Sequence, residues 1–151
     1  MTSYDDIIDL ALLSIQDYRL NKLAIDDPNQ FKLVLEGFMV RAIPHFDNCI
    51  KDLSDRDDEA RVFNVSLTDE EKSIIADWTV IMWLDKEIAD TRQITAMLQN
   101  NKEAHRYSEA NLLDKKQSLR VQKREDVGQR QTSYGYRNND WKSWAEGNYG
   151  I

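Results

Sequence analysis

A chain of 151 residues with 41% hydrophobic and 31% charged residues has the composition of one folded domain with a modest core, not of a disordered polymer. Its formal net charge of −7 argues against a general DNA binder. No apolar run approaches the roughly 18–20 residues that cross a bilayer, and the acidic start, Met-Thr-Ser-Tyr-Asp-Asp, lacks the basic opening of a signal peptide. The expected place of action is therefore the cytosol, or something assembled there, with no membrane partner.

The first helix is expected to open near Ser3, whose hydroxyl can cap it, with Asp5 and Asp6 at its positive end. Ile7, Ile8, Ala11, Leu12, Ile15 and Tyr18 recur at helical spacing, and the pattern fades near Asn21. Asp27-Pro28 is a restart signal, cap followed by a proline in the first turn. Phe31, Val34, Leu35, Phe38, Met39, Ala42 and Ile43 then form a core-facing stripe. Pro44 ends or kinks that helix because it lacks an N–H and crowds the preceding turn. A short helix from Pro44 to about Leu53 is expected next.

The single cysteine, Cys49, rules out an internal disulfide or a cysteine metal cluster within one chain. It reads as a structural thiol in an apolar stretch; nearby His45 is the only local candidate for an activating base. Asp55, Asp57, Asp58 and Glu59 belong to a charged loop without the spacing or glycine of a calcium loop. Residues 61–66 read as a short extended stretch tacked to the core by Val62 and Phe63. Thr68-Asp-Glu-Glu71 is a capping box that opens the longest helix, expected to run to about Asn100. Its stripe holds Ile74, Ile75, Trp78, Ile81, Met82, Asp85, Ile88 and Ala89. On that face Asp85 could be a perturbed acid, but a partner such as Arg41 on a neighbouring helix is the simpler expectation.

Asn100-Asn101 suits a turn. A further helix over 108–131 is mostly polar, with Leu112, Leu113, Leu119, Val121 and Val127 nearly its only large aliphatics. Such a helix is exposed, bridging, or packed on another chain. Lys115, Lys116, Arg120, Lys123 and Arg124 could meet phosphates, yet Glu109, Asp114, Glu125 and Asp126 interrupt them, which favours a solvated face. Residues 133–151 change character. Gly135, Gly147 and Gly150 are expected to break regular helix, while Tyr134, Tyr136, Trp141, Trp144 and Tyr149 are too sticky for a solvated tail. These aromatics and Arg137 read either as a docking segment for another chain or as a tail folded back on its own core.

Charge divides along the chain. Residues 1–101 hold ten Lys/Arg against twenty Asp/Glu, and residues 102–151 ten against seven, so the body is −10 and the C-terminal part +3. An acidic body with a basic arm suits complementary copies or a partner. His45 and His105 fall in no ligand motif, and no P-loop, dinucleotide, nucleophile-elbow or His-Glu-x-x-His signature occurs. No catalytic residue, cofactor or metal is expected. The expected fold is all-α: a bundle of about four helices with one long central helix over residues 1–132, and an extended aromatic-rich arm over 133–151.

The order of features has a counterpart. Tyr-Asp-Asp-Ile-Ile-Asp-Leu-Ala at 4–11, Leu-Glu-Gly-Phe-Met-Val-Arg-Ala-Ile-Pro-His-Phe at 35–46, Leu-Thr-Asp-Glu-Glu-Lys at 67–72 with Trp78 and Trp83, Arg-Tyr-Ser-Glu-Ala-Asn-Leu-Leu at 106–113 and Asp-Trp-Lys-Ser-Trp at 140–144 together resemble the head–tail connector (adaptor) proteins of tailed bacteriophages. The resemblance covers nearly the whole chain and rests on overall pattern. It implies a virion protein of the head–tail neck, assembled in the host cytoplasm, in a homo-oligomeric ring of twelve copies. The ring would sit below the portal protein and extend the DNA channel, with DNA only as passing cargo. It would also give a stopper or tail-completion protein its attachment surface. Tyr134, Tyr136, Arg137, Trp141, Trp144 and Tyr149 would then dock on the portal, and Lys116, Arg120 and Arg124 would be candidates for contacts between subunits. The competing expectation is a cytosolic helical regulator or adaptor binding one protein partner.

Overall fold

The computed structural model describes residues 1–97 and 103–138, with side chains over 1–93 and 110–138. The chain is mostly helical. Strand β1 (Thr2–Ser3) leads into α1 (Tyr4–Asp17), followed by α2 (Lys22–Asp26) and α3 (Pro28–Ala42). A 3-10 turn at Ile43–His45 precedes β2 (Arg56–Asp57) and β3 (Val62–Phe63), then α4 (Asp69–Met97) and α5 (Glu103–Asn138). The long helix opened by the Thr68 box is present as α4, with three others packed on it: α1, α3 and α5.

Local chemistry explains where the helices start. Ser3 accepts from the Asp5 amide at 3.2 Å and Asp27 from the Gln30 amide at 3.3 Å, with Pro28 in the first turn. At α4 the capping box closes both ways: the Glu71 amide donates to Thr68 Oγ1 at 3.2 Å, and the Thr68 amide to Glu71 Oε1 at 2.8 Å. Helix α2 was not foreseen. Its cap is Asn21, whose side-chain oxygen accepts from the amides of Leu23 and Ala24.

The short helix expected over Pro44–Leu53 does not form beyond the one 3-10 turn. Its backbone groups are engaged elsewhere. The Ile50 amide donates to the Tyr134 hydroxyl at 3.0 Å, and Asp52 Oδ1 takes the Ser54 amide at 3.0 Å. Side chains that compete for the backbone in this way favour turns over helix.

The extended stretch at 61–66 supplies the centre of a small antiparallel sheet, ordered β1-β3-β2, with Phe63 opposite both Thr2 and Arg56. Between β2 and β3, Asp57 Oδ1 takes the amides of Glu59 and Ala60, each at 3.0 Å. Arg61 sits at φ 58°, the left-handed region that non-glycine residues rarely occupy. Its guanidinium reaches Asp5 at 2.9 Å and Glu36 at 3.0 Å, joining the turn to α1 and α3. The loop carboxylates thus serve the hairpin. Asp58 accepts from the Tyr4 hydroxyl and from Arg56, which holds its carboxyl below the usual range. Burial and that carboxylate push the Tyr4 phenol up.

The core joins Ile7, Ile8, Ala11 and Ile15 of α1 to Phe31, Leu35 and Met39 of α3 and to Ile74, Ile75, Ile81, Trp83 and Leu84 of α4. Trp83 is its largest fully buried side chain and meets the Phe31 ring edge-on, centroids 5.7 Å apart. Truncating Trp83→Ala should cost about 3–5 kcal/mol, much of the ~5–15 kcal/mol a small domain has. Denaturant unfolding followed by far-UV circular dichroism would measure it; a midpoint unchanged from wild type would show that α4 is not centred on this residue.

Candidate functional site

Among the described residues, the densest polar construction is the seam between α4 and α5. The α5 face turned to α4 offers few large apolar groups, chiefly Leu119, Val127 and Tyr134. Between them lie Lys116, Lys123, Arg130 and Arg137, each seven residues from the next and so on one helix face. Each finds an acidic partner on α4. Lys116 Nζ reaches Glu87 and the Thr91 hydroxyl, both at 3.1 Å. Lys123 and Arg130 grip the two oxygens of Asp77 at 3.1 and 2.9 Å. Arg137 pairs with Glu70, and Arg120, beside the row, pairs with Asp85. Lys116 is only 3% exposed, so its charge is tolerated only because the partners are in place.

The C-terminal end of α5 closes over the turns that follow the 3-10 turn. Tyr134 is 2% exposed, its ring edge-on to Phe46 at 5.0 Å. Its hydroxyl donates to Glu71 Oε2 at 2.8 Å and accepts from the Ile50 amide. Lys51 Nζ meets the other Glu71 oxygen at 2.8 Å. Gln131 donates to the His45 carbonyl and to Asp47, and accepts from Trp78 Nε1 at 2.9 Å. His45 stacks on the Trp78 ring, centroids 4.7 Å apart. Burial pushes the Cys49 thiol up, and Glu71 beside it adds to that, so the thiol stays protonated near neutral pH and is poorly suited to act as a nucleophile.

Several sequence expectations are redirected here. Helix α5 crosses the expected boundary at 132/133 without a break and ends at Asn138. Gly135 does not interrupt it. A Cβ at that position would come within 2.9 Å of Asn48 Nδ2, so the missing side chain leaves room for the Asn48 side-chain amide to donate to the Gln131 carbonyl at 2.9 Å. Of the expected docking residues, Tyr134 is enclosed by its own chain, while Tyr136 and Arg137 are exposed. Trp141, Trp144 and Tyr149 lie outside the described residues. Of the expected subunit-contact residues, Lys116 is buried in the seam, Arg120 holds Asp85, and Arg124 is exposed. Asp85 faces outward instead of into the core, and Arg41 lies over the Phe38 ring at 5.6 Å instead of pairing with it. Glu71 was foreseen only as a cap, and Asp77 and Gln131 not at all. The seven-residue spacing of basic residues along α5 was the available signal for the seam.

Among the described residues, no group of three or more His, Cys, Asp or Glu is placed to hold a metal ion, and no helix is long and apolar enough to cross a membrane. No family model, curated protein or solved structure matches the chain.

Glu71 gives this region a pH dependence. Burial pushes its carboxyl up, but hydrogen bonds from Lys51, the Thr68 amide and Tyr134 outweigh that and leave it below the ordinary glutamate value of 4.5. A carboxyl depressed in the folded state contributes stability that is present above the unfolded value and lost as pH falls through the folded one. Glu71→Gln should therefore lower stability at pH 7 by about 1–3 kcal/mol and flatten the acid side of the curve. Urea titrations of both proteins from pH 7 to pH 3 would test this; parallel curves would mean that the carboxylate does not carry the acid loss.

Proposed function

We propose that the chain is a virion structural protein of a tailed bacteriophage, a ring-forming head–tail connector that docks below the portal. It would extend the DNA channel and give stopper or tail its attachment surface. The observation that carries the reading is the antiparallel pair α4–α5. It makes a stiff support of 29 and 36 residues, and the last described turns of α5, packed beside the start of α4, leave Tyr136 and the Glu70-paired Arg137 exposed directly before the aromatic stretch 139–151 in sequence. Aromatic and arginine side chains on a rigid support suit docking on a larger protein, because anchors held in place lose little entropy on binding. Many copies on a symmetric partner would hold tightly even if each contact were weak, through effective concentration.

The acidic body fits the same role. A channel wall that repels phosphates lets DNA slide where a basic wall would hold it. The proposed ring has twelve copies, is built in the host cytoplasm and remains in the neck of the particle.

Mass spectrometry of density-purified phage particles from the source organism tests the proposal. The expected result is the chain at low abundance, comparable to the portal and far below the capsid protein. Its absence from particles and presence only in the free lysate would overturn the neck assignment and favour a regulator that binds a single partner.

A further inference from the structure

The body carries two exposed surfaces of opposite charge on different sides. The first is a groove of about 440 Å³ between α4 and α5, floored by Ile88 and Ala89 and edged by Val121, Arg92 and Arg120. Val121 is 55% exposed, and Arg124 stands one helical turn beyond Arg120. Asp85 in the same groove is already paired with Arg120. With Gln117 also in the lining, the surface is mixed, with Ile88, Ala89 and Val121 as its apolar part and Arg92 and Arg120 as its basic one.

The second lies on α1. That helix buries Ile7, Ile8, Ala11 and Ile15, so Asp6, Leu10, Leu13 and Asp17 fall on its outward side. Leu13 is 55% exposed. Two leucines flanked by aspartates about 16 Å apart (eleven residues at 1.5 Å each) make an acidic, apolar-centred ridge. Asp6 is only loosely engaged, 3.8 Å from Lys72.

We propose that the α1 ridge of one copy seats in the α4–α5 groove of the next. Leu10 and Leu13 would cover Ile88, Ala89 and Val121, while Asp6 and Asp17 meet Arg92 and Arg124. The occupant is a second copy of this chain because its own ridge offers the aspartates and leucines that the groove's arginines and apolar residues call for. Face-to-face pairing of two α1 ridges is disfavoured, since it sets aspartate against aspartate. Two different surfaces make the contact heterologous, and a heterologous contact repeats until it closes into a ring or grows as a filament. The inference rests on the ring reading for closure and names the subunit contact that a ring requires.

Cross-linking of the full chain tests it. In a Cys49→Ser background, Leu13→Cys and Val121→Cys are made in separate chains, mixed over a concentration series and treated with a short bis-maleimide. The expected product is the mixed dimer. Its yield should fall roughly tenfold when Arg92→Glu and Arg124→Glu are added, and recover when the other chain carries Asp6→Lys and Asp17→Lys. A product joining only two L13C chains, or no product at any concentration, overturns the contact. Chains that form the mixed dimer but are absent from phage particles would uphold this contact and sink the neck assignment. Chains present in particles without the mixed dimer would do the reverse.

Discussion

Among the described residues, the packing of α5 on α4 depends on charges drawn wholly or partly out of water along their seam. Burying Lys116 or Asp77 without a partner would cost several kcal/mol, so the helices can pack only where every charge meets its counterpart. Asp77 with Lys123 and Arg130, Glu87 with Lys116, and Glu70 with Arg137 must be satisfied together. A slip of one helical turn would orphan all of them at once. Leu119 and Val127 alone would tolerate such a slip, since aliphatic contact is not directional. The ion pairs therefore act more as register pins than as sources of stability.

The last described turns of α5 have their own lock. Glu71 caps α4, holds Lys51 and receives the Tyr134 hydroxyl, which in turn takes the Ile50 amide. One buried carboxylate thus ties the start of α4, the turns around residue 50 and the last turns of α5. Gly135 leaves room for the Asn48 side-chain amide, which donates to the Gln131 carbonyl and adds a further tie between the same turns and the helix. A non-helical segment with its backbone amides satisfied by a distant tyrosine is ordered by tertiary contacts, not by its own propensity.

The parts of the fold legible in the sequence are those decided locally. Ser3, Asp27-Pro28 and the Thr68–Glu71 box mark helix starts through groups two or three residues away, and the α1 and α3 stripes follow from spacing alone. The parts not legible are decided at a distance. The 44–53 segment looks helical until the Ile50 amide is seen to belong to Tyr134. Gly135 looks like a breaker until Asn48 occupies the space it leaves. Tyr134 reads either as a docking aromatic or as part of a folded-back tail, because nothing near it in sequence foretells Phe46 and Glu71 as its neighbours. The candidate assembly residues were only partly separable, since exposure within a basic helix depends on which face meets α4. Lys116 and Arg124 are alike in composition and opposite in burial.

A helix pinned by charge and backed by few aliphatics has an energetic status different from the rest of the domain. Core segments rich in apolar contacts open only when the whole chain unfolds, whereas segments poor in them open at lower free energy as units of their own. Helices α1, α3 and α4 share the first property, and α5 has the second. Helix α5 is therefore expected to open at lower free energy than the others, and added salt to weaken chiefly its more exposed pairs, Arg130–Asp77 and Arg137–Glu70. Opening of α5 would lay bare Asp77, Glu71 and the α4 face that Leu119, Val127 and Tyr134 cover, so amide exchange that quickens along α5 ahead of the α4 core amides would mark a partly opened state that still holds the rest of the domain.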